Sequence, residues 1–224
     1  MQRDGDRVTG VLAGSGPVRA AAVLVAAGPA SGALLAAAHL HLPVTGARGW
    51  LLQTAPLPWR MAHILGEADW KGVTPAAFGQ PPAIRDLADG SPGAGGTAVA
   101  FTMQQTPSGG QATIGASATS VVRDDAGAAQ TAIRLVATQA VRFVPSLAAI
   151  PVTCTWSGVR PVAPHGTPLI GRLPEVEGLW VAAGHGSQGV MLAPSTGRMM
   201  AEYLLGGRAS GADAFDPARL LERR

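Results

Sequence analysis

The sequence predicts an α+β fold, and three stretches carry that prediction. The first 27 residues contain short apolar runs separated by glycine-containing turns, which is typical of antiparallel strands. Residues 97–105 and 110–117 predict a hairpin across Thr-Pro-Ser-Gly, and an apolar helical period follows over residues 127–144. Residues 179–205 then predict a buried strand, a glycine-rich turn and a helix.

Composition limits the classes of function. The chain has 224 residues, of which 47% are hydrophobic and 14% charged, which suffices for one or two domains with their own core. Its formal net charge is +3, and its basic residues are scattered, so neither nucleic-acid nor membrane-surface binding is indicated. The first residues lack the apolar part of a signal peptide, and no apolar run approaches the roughly 20 residues that span a membrane. We therefore expect a cytoplasmic protein without a transmembrane segment.

Cysteine and histidine usage argues against a disulfide and against a metal site. Cys154 is the single cysteine of the sequence, so no internal disulfide can form. The five histidines lack the spacing of metal ligands. They are His39, His41, His63, His165 and His185. We expect no metal cofactor.

The N-terminal segment predicts strands at residues 8–12 and 18–27 and a short helix at residues 31–38. The second strand ends on Ala-Ala-Gly, with Gly28 last. A glycine in this place either frees the turn that follows or lets a ligand approach the backbone. The residues themselves leave both interpretations open.

The glycine turn, residues 184–189, has the sequence Gly-His-Gly-Ser-Gln-Gly. Its three glycines match the G-x-G-x-x-G spacing of dinucleotide sites, but no apolar strand follows the helix, as a βαβ unit requires. Small residues still let backbone N–H groups approach a ligand, and the N-terminus of a helix favours negative charge. The pattern therefore predicts a ligand cradle outside a dinucleotide unit.

Two motifs together closely resemble the C-terminal signature of the D-amino-acid oxidase superfamily of FAD-dependent oxidoreductases. They are W-S-G-V-R-P-V-A-P-H-G-T-P-L-I-G at residues 156–171 and G-L-W-V-A-A-G-H-G-S-Q-G-V-M-L-A-P-S-T-G at residues 178–197. The resemblance is to the branches of glycine oxidase, hydrogen cyanide synthase, and sarcosine or hydroxyproline dehydrogenase. It implies FAD as cofactor and a small-molecule amine or amino acid as substrate, with hydride transfer from the α-carbon to flavin N5.

The resemblance also implies a domain organisation. Residues 1–41 correspond to the end of an α/β FAD domain, and residues 42–153 to an antiparallel substrate domain covered by the helix at residues 127–144. A strand predicted at residues 150–155 leads back to the FAD domain, residues 154–207 belong to that domain, and residues 208–224 form a tail. The resemblance therefore implies a glycine oxidase-like fold in which one part is an FAD-domain remnant.

A complete member of the superfamily begins with a dinucleotide-binding βαβ unit, and no such segment precedes Val8. Three explanations stay open: a truncated product of a longer gene, a subunit whose partner chain supplies the FAD-binding half, or a non-catalytic binding module derived from this fold. The isolated sheet would expose the edge and the face that the missing half covers, so we expect association or aggregation.

Two arginines are candidate substrate-binding residues. Arg160 occupies the position at which the superfamily places an arginine that binds the substrate carboxylate, and a planar guanidinium fork suits that task. The alternative is a structural arginine that bonds carbonyl groups between the domains. Arg48 is a second candidate, and its alternative role is to anchor the crossover between the domains. The resemblance names no certain catalytic acid or base.

The remaining site residues are implied by the resemblance to bind the cofactor. Backbone N–H groups of the glycine turn and the dipole of the following helix would stabilise negative charge on the reduced flavin. His185 is the titratable group of the turn, and it either contacts the flavin or stabilises the turn. The expected cofactor-binding positions are Gly28, Gly158, Gly184, His185, Gly186, Ser187, Gln188, Gly189, Val190 and Met191.

Overall fold

The computed structural model describes residues 1–67, 97–120, 126–163, 166–207 and 211–218. They divide into two compact units, one from residues 1–45 and 160–224 and the other from residues 46–159. Residues 68–96 and His165 of the motif at residues 156–171 lie outside the described ranges.

The described residues form eleven strands and three α-helices. The strands are β1 (Gln2–Asp4), β2 (Arg7–Ala13), β3 (Gly16–Arg19), β4 (Val23–Val25), β5 (Thr45–Pro56), β6 (Leu65–Gly66), β7 (Thr97–Gln105), β8 (Gln111–Ser120), β9 (Val152–Val162), β10 (Leu169–Arg172) and β11 (Leu179–Ala183). The helices are α1 (Ser31–Ala36), α2 (Ala126–Phe143) and α3 (Gly189–Leu204). Short 3₁₀ turns connect several of them.

Two small sheets form the framework of the first unit. Strands β1, β2 and β3 make an antiparallel meander, and the second sheet has the order β10-β11-β4. In that second sheet β10 runs antiparallel to β11, whereas β4 runs parallel to it. The central strand β11 buries alternate side chains, and Leu179, Val181 and Ala183 are at most 1% exposed. These residues pack with Val8 and Leu35 in one hydrophobic core.

The second unit is a five-stranded sheet with α2 packed on it. The strand order is β6-β7-β8-β5-β9, and the described pairs within β5 to β8 are antiparallel. Val136 and Ala140 of α2 lie in the same core cluster as Met103 and Ile114 of the sheet, because an apolar residue recurs on one helix face every three or four positions. Burying this face holds the helix against β7 and β8.

The predicted α+β class is confirmed, as are its main elements. The hairpin at residues 97–117 corresponds to β7 and β8, and the helix predicted at residues 127–144 is α2. The strand predicted at residues 179–183 is β11, and the helix predicted to end near Leu205 is α3.

Two strand predictions were wrong in extent. The strand predicted at residues 18–27 is two strands in different sheets, since β3 ends at Arg19 and β4 begins at Val23. The Ala20 N–H donates to Thr9, whereas the Val23 N–H donates to Gly178, so the chain changes partners between these residues. The strand predicted at residues 150–155 is β9, which continues through Gly158 and Pro161. An edge strand tolerates such residues, and β9 is at the end of its sheet.

Candidate functional site

The carboxyl ends of β4 and β11 meet at one edge of the β10-β11-β4 sheet. The two strands are parallel, with Val25 opposite Val181, so the chain leaves both strands at the same edge. Gly28 follows the first strand and the glycine turn follows the second. The carboxyl edge of parallel strands is where ligands bind in open α/β sheets. This edge is therefore the candidate site.

Gly184 begins the glycine turn in tight contact with Ala163. Its φ is +84°, and a β-carbon built on it would lie 2.4 Å from the Cβ of Ala163. Real β-carbons do not approach so closely, and side chains rarely adopt this φ. The structure thus requires glycine here, and the contact fixes where the turn starts.

Gly186 has a different environment. Its φ is +58°, but no heavy atom lies within 4 Å of the position that a β-carbon would take. At Gly189, which is helical, the same position lies an ordinary 3.7 Å from the Cβ of His185. Neighbouring atoms in the described residues would therefore tolerate a β-carbon at Gly186 and at Gly189. At both glycines a ligand can approach the backbone closely. The position of a β-carbon on Gly28 is open in the same way.

The N-terminus of α3 faces the site with a mixed polar and apolar character. Its N-cap residue, Gln188, makes no side-chain capping hydrogen bond, and the first turn carries no acidic residue. The first N–H groups of a helix lack partners within the helix and carry partial positive charge. Val190 and Met191 beside them are 90% and 71% exposed. The arrangement suits a flat apolar ligand with a negatively polarised edge.

His185 connects three parts of the first unit. Its backbone forms an antiparallel bridge with Val162, and its carbonyl accepts a 3.0 Å hydrogen bond from the Gln188 N–H. Its Nε2 lies 3.0 Å from Oγ1 of Thr196, a buried residue of α3. Burial lowers the pKa of His185 from its ordinary value of 6.5, so the imidazole is neutral at pH 7. Thr196 is part of the motif quoted above for residues 178–197, but that motif assigns it no role and gives no sign of its contact with His185, eleven positions earlier.

Arg160 lies on β9 close to the same bridge. It precedes Val162 by two residues, about 7 Å along a strand, and side chains at this spacing share one face. Its side chain is partly buried, and burial lowers the pKa of its guanidinium from the ordinary value. An arginine stays charged at neutral pH in spite of such a shift. The first unit therefore holds a cation near the glycine turn.

Arg48 and Gly158 belong to the second unit. The Arg48 Nη1 donates a 2.9 Å hydrogen bond to Oγ of Ser157, which links β5 to β9. Gly158 is exposed on β9, and the position of a β-carbon on it is open. The first unit by itself thus contains Gly28, Arg160 and the whole glycine turn, whereas these two residues lie elsewhere.

The described ranges contain neither a candidate metal site nor a candidate membrane-spanning helix. Histidine, cysteine, aspartate and glutamate side chains there form no group of three or more that could bind a metal ion. No helix within those ranges has the length and hydropathy to span a bilayer.

Comparisons with known proteins agree with one another. The family model described as DAO, FAD-dependent oxidoreductase, matches residues 1–203. The glycine oxidase of Pseudomonas aeruginosa is 32% identical over 204 residues, which are 91% of this chain and 47% of that protein. The glycine oxidase of Bacillus licheniformis is 41% identical over a shorter stretch of 68 residues, which are 30% of this chain and 18% of that protein.

Solved structures give the same result for the fold. The crystal structure of glycine oxidase from Geobacillus kaustophilus is similar with a TM-score of 0.66 at 25% identity, over 91% of this chain and 46% of that one. The L-proline dehydrogenase of P. horikoshii has a TM-score of 0.74 at 19% identity, over 98% and 52% of the two chains. The predicted glycine oxidase-like fold is confirmed. The chain spans about half the length of these relatives.

Proposed function

The chain belongs to the DAO family of FAD-dependent oxidoreductases, and from this premise we propose that it supplies the flavin-ring and substrate side of an enzyme that oxidises an amine or amino acid. FAD, held by the glycine turn and the start of α3, would supply the hydride acceptor for oxidation at the substrate α-carbon. The residues of this chain then have three tasks: to hold the cofactor, to orient the substrate and to keep the site neutral where a free amine must react.

The observation that carries the proposal is the sterically open backbone at Gly186 and Gly189 beside the N-terminus of α3, which we call the open cradle. A β-carbon at Gly186 or Gly189 would meet no clash, and the first N–H groups of α3, which have no partner within a helix, lie next to this backbone. A flavin ring has apolar faces and a pyrimidine edge that becomes negative on reduction, so it matches this combination. The proposed cofactor contacts are Gly28, Gly158, Gly184, His185, Gly186, Ser187, Gln188, Gly189, Val190 and Met191.

We propose that Arg160 orients the substrate through its carboxylate. Its guanidinium offers two parallel N–H donors that match a carboxylate in bidentate geometry. Because the side chain is partly buried, such a pair would be less screened by water than one on the open surface. Arg48 remains a second proposed substrate contact, although its hydrogen bond to Ser157 gives it a structural role as well.

The proposed chemistry asks for no strong acid or base from this chain. A neutral amine can give up its α-hydride directly, and the neutral state of His185 at pH 7 keeps imidazolium charge away from it. His185 is therefore proposed to hold the turn and to contact the cofactor. Ser187 and Gln188 complete a turn without charged side chains.

The complete activity is proposed for an assembly that contains the remaining half of the family fold, on the same or on a second polypeptide. No described strand pairs with the outer edge of β4, and Leu24 in its centre is 40% exposed. Parallel strands are ordinarily flanked and covered on both sides. We propose that another strand of the family fold pairs with this edge.

The test is anaerobic reduction of bound FAD by a panel of amines and amino acids, followed by flavin absorbance. Arg160→Ala should abolish reduction by carboxylate-bearing substrates. Arg172→Ala is the matched control, because Arg172 is an exposed arginine of the same unit on β10. Equal reduction in the two variants would refute the role of Arg160, and FAD bound without reduction by any amine would favour a binding module.

A further inference from the structure

We propose that Thr196 is a positioning residue for the glycine turn: its hydroxyl holds the imidazole of His185, and His185 holds the turn in the conformation that receives the cofactor. The inference rests on the proposed function, and it assigns to that site a residue that lies outside the turn. Thr196 is the eighth residue of α3, which begins at Gly189.

The contact between His185 and Thr196 is short, and the threonine is buried. His185 Nε2 and Thr196 Oγ1 are 3.0 Å apart, and Thr196 is 8% exposed. Which of the two groups donates depends on the imidazole tautomer, but either tautomer can form one hydrogen bond with a hydroxyl. If the hydroxyl is removed, a partly buried ring nitrogen loses its partner, and an unsatisfied polar group of this kind is costly.

His185 is the residue on which the other anchors of the turn converge. Its main chain bridges to Val162, and its carbonyl accepts the hydrogen bond from Gln188 that closes the turn. The side-chain contact with Thr196 adds the third attachment, and it is the one that joins the turn to α3. Gly186 between these attachments has a φ of +58°, and no heavy atom lies within 4 Å of the position that a β-carbon on it would take. The conformation of the turn therefore depends on how firmly His185 is held.

The neighbouring hydroxyl supplies a matched control. Ser195 is exposed, and its Oγ donates a 2.9 Å hydrogen bond to the Leu192 carbonyl within the helix. Ser195→Ala thus removes a hydroxyl from α3 without touching His185. Thr196→Val keeps the shape of the side chain and removes its hydrogen bond, whereas Thr196→Ser keeps the hydroxyl.

The experiment measures the flavin-free chain first. Hydrogen exchange of the Gln188 amide, followed by NMR, reports whether the turn is held, and the ring ¹⁵N resonances of His185 report its partner. We expect Thr196→Val to speed exchange at Gln188 about tenfold and to shift the ring resonances. Thr196→Ser and Ser195→Ala should resemble the unmodified chain. Unchanged exchange in Thr196→Val, or equally fast exchange in Thr196→Ser, would overturn the inference.

Titration with FAD then separates this inference from the proposed function. We expect Thr196→Val to bind FAD roughly 5- to 10-fold more weakly than Ser195→Ala does. FAD affinity that is identical in these two variants would overturn the positioning role. If no FAD is taken up even in an assembly with the remaining half of the family fold, while Gln188 exchange still responds to Thr196→Val, the proposed function fails and the attachment of the turn stands.

Discussion

Gly184 packs so closely on Ala163 that a β-carbon on it would lie 2.4 Å from the Ala163 Cβ. We predict that Gly184→Ala lowers the free energy of unfolding by about 3 kcal/mol, because the variant adds a clash to an unfavourable φ of +84°. Gly186→Ala should cost only about 1 kcal/mol, since it meets conformational strain and no neighbouring atom. Urea denaturation of both variants measures the difference, and equal losses would contradict the packing argument.

At Gly189, in contrast, we predict that an alanine substitution raises the free energy of unfolding. An alanine there meets only an ordinary contact with His185 and favours the helical conformation of α3. We expect Gly189→Ala to raise the free energy of unfolding by about 0.5 kcal/mol while it weakens FAD binding, because the new methyl group occupies backbone that the cofactor approaches. Denaturation and FAD titration on the same preparation test both halves. Unchanged FAD affinity would argue that the ligand does not approach this position.

Arg160 is predicted to act through geometry as well as charge. Arg160→Lys keeps a cation but loses the planar fork, so we expect kcat/KM for a carboxylate-bearing substrate to fall roughly 100-fold in the assembled enzyme. Oxidation of a matched amine without a carboxylate should change far less. If both substrates lose activity equally in Arg160→Lys, the arginine supports the structure and does not bind the carboxylate.

The lowered pKa of His185 makes the stability of the folded chain depend on pH. Burial lowers its pKa in the folded chain below the ordinary 6.5, so the unfolded chain binds its proton first as the pH falls. The contribution of the neutral imidazole is therefore complete above a pH of about 6.5 and is lost as the pH falls below that value. Denaturation series from about pH 7.5 to about pH 5 should show a steeper loss for the unmodified chain than for His185→Gln. Parallel pH profiles would contradict the assignment.

The elements around the glycine turn could be predicted from the sequence because their signals are local. The apolar run that forms β11, the glycines Gly184 and Gly186 and the start of α3 all lie within one short stretch. The family motif extends this information, since it selects Arg160 from the 17 lysines and arginines of the chain.

Other features required the tertiary structure. The exchange of partners between β3 and β4 depends on the carbonyls of Thr9 and Gly178, which are far from each other in sequence. The predicted strand at residues 18–27 contains no glycine, proline, asparagine or aspartate that would have indicated such a change. The contact of Thr196 with His185 could not be predicted from the sequence either, because no sequence pattern distinguishes a threonine that makes such a contact from any other threonine in a helix. The link from Arg48 to Ser157 also joins two strands that are distant in sequence.

The most direct test of the central claim is a titration of the chain with FAD, followed by flavin fluorescence and visible absorbance, with Gly186→Ala measured beside it. If the glycine turn and the start of α3 hold the flavin ring, the unmodified chain should bind FAD saturably. Gly186→Ala, which adds a methyl group to the open cradle, should bind at least about tenfold more weakly. Absent binding, or equal affinity in the two proteins, would contradict the claim.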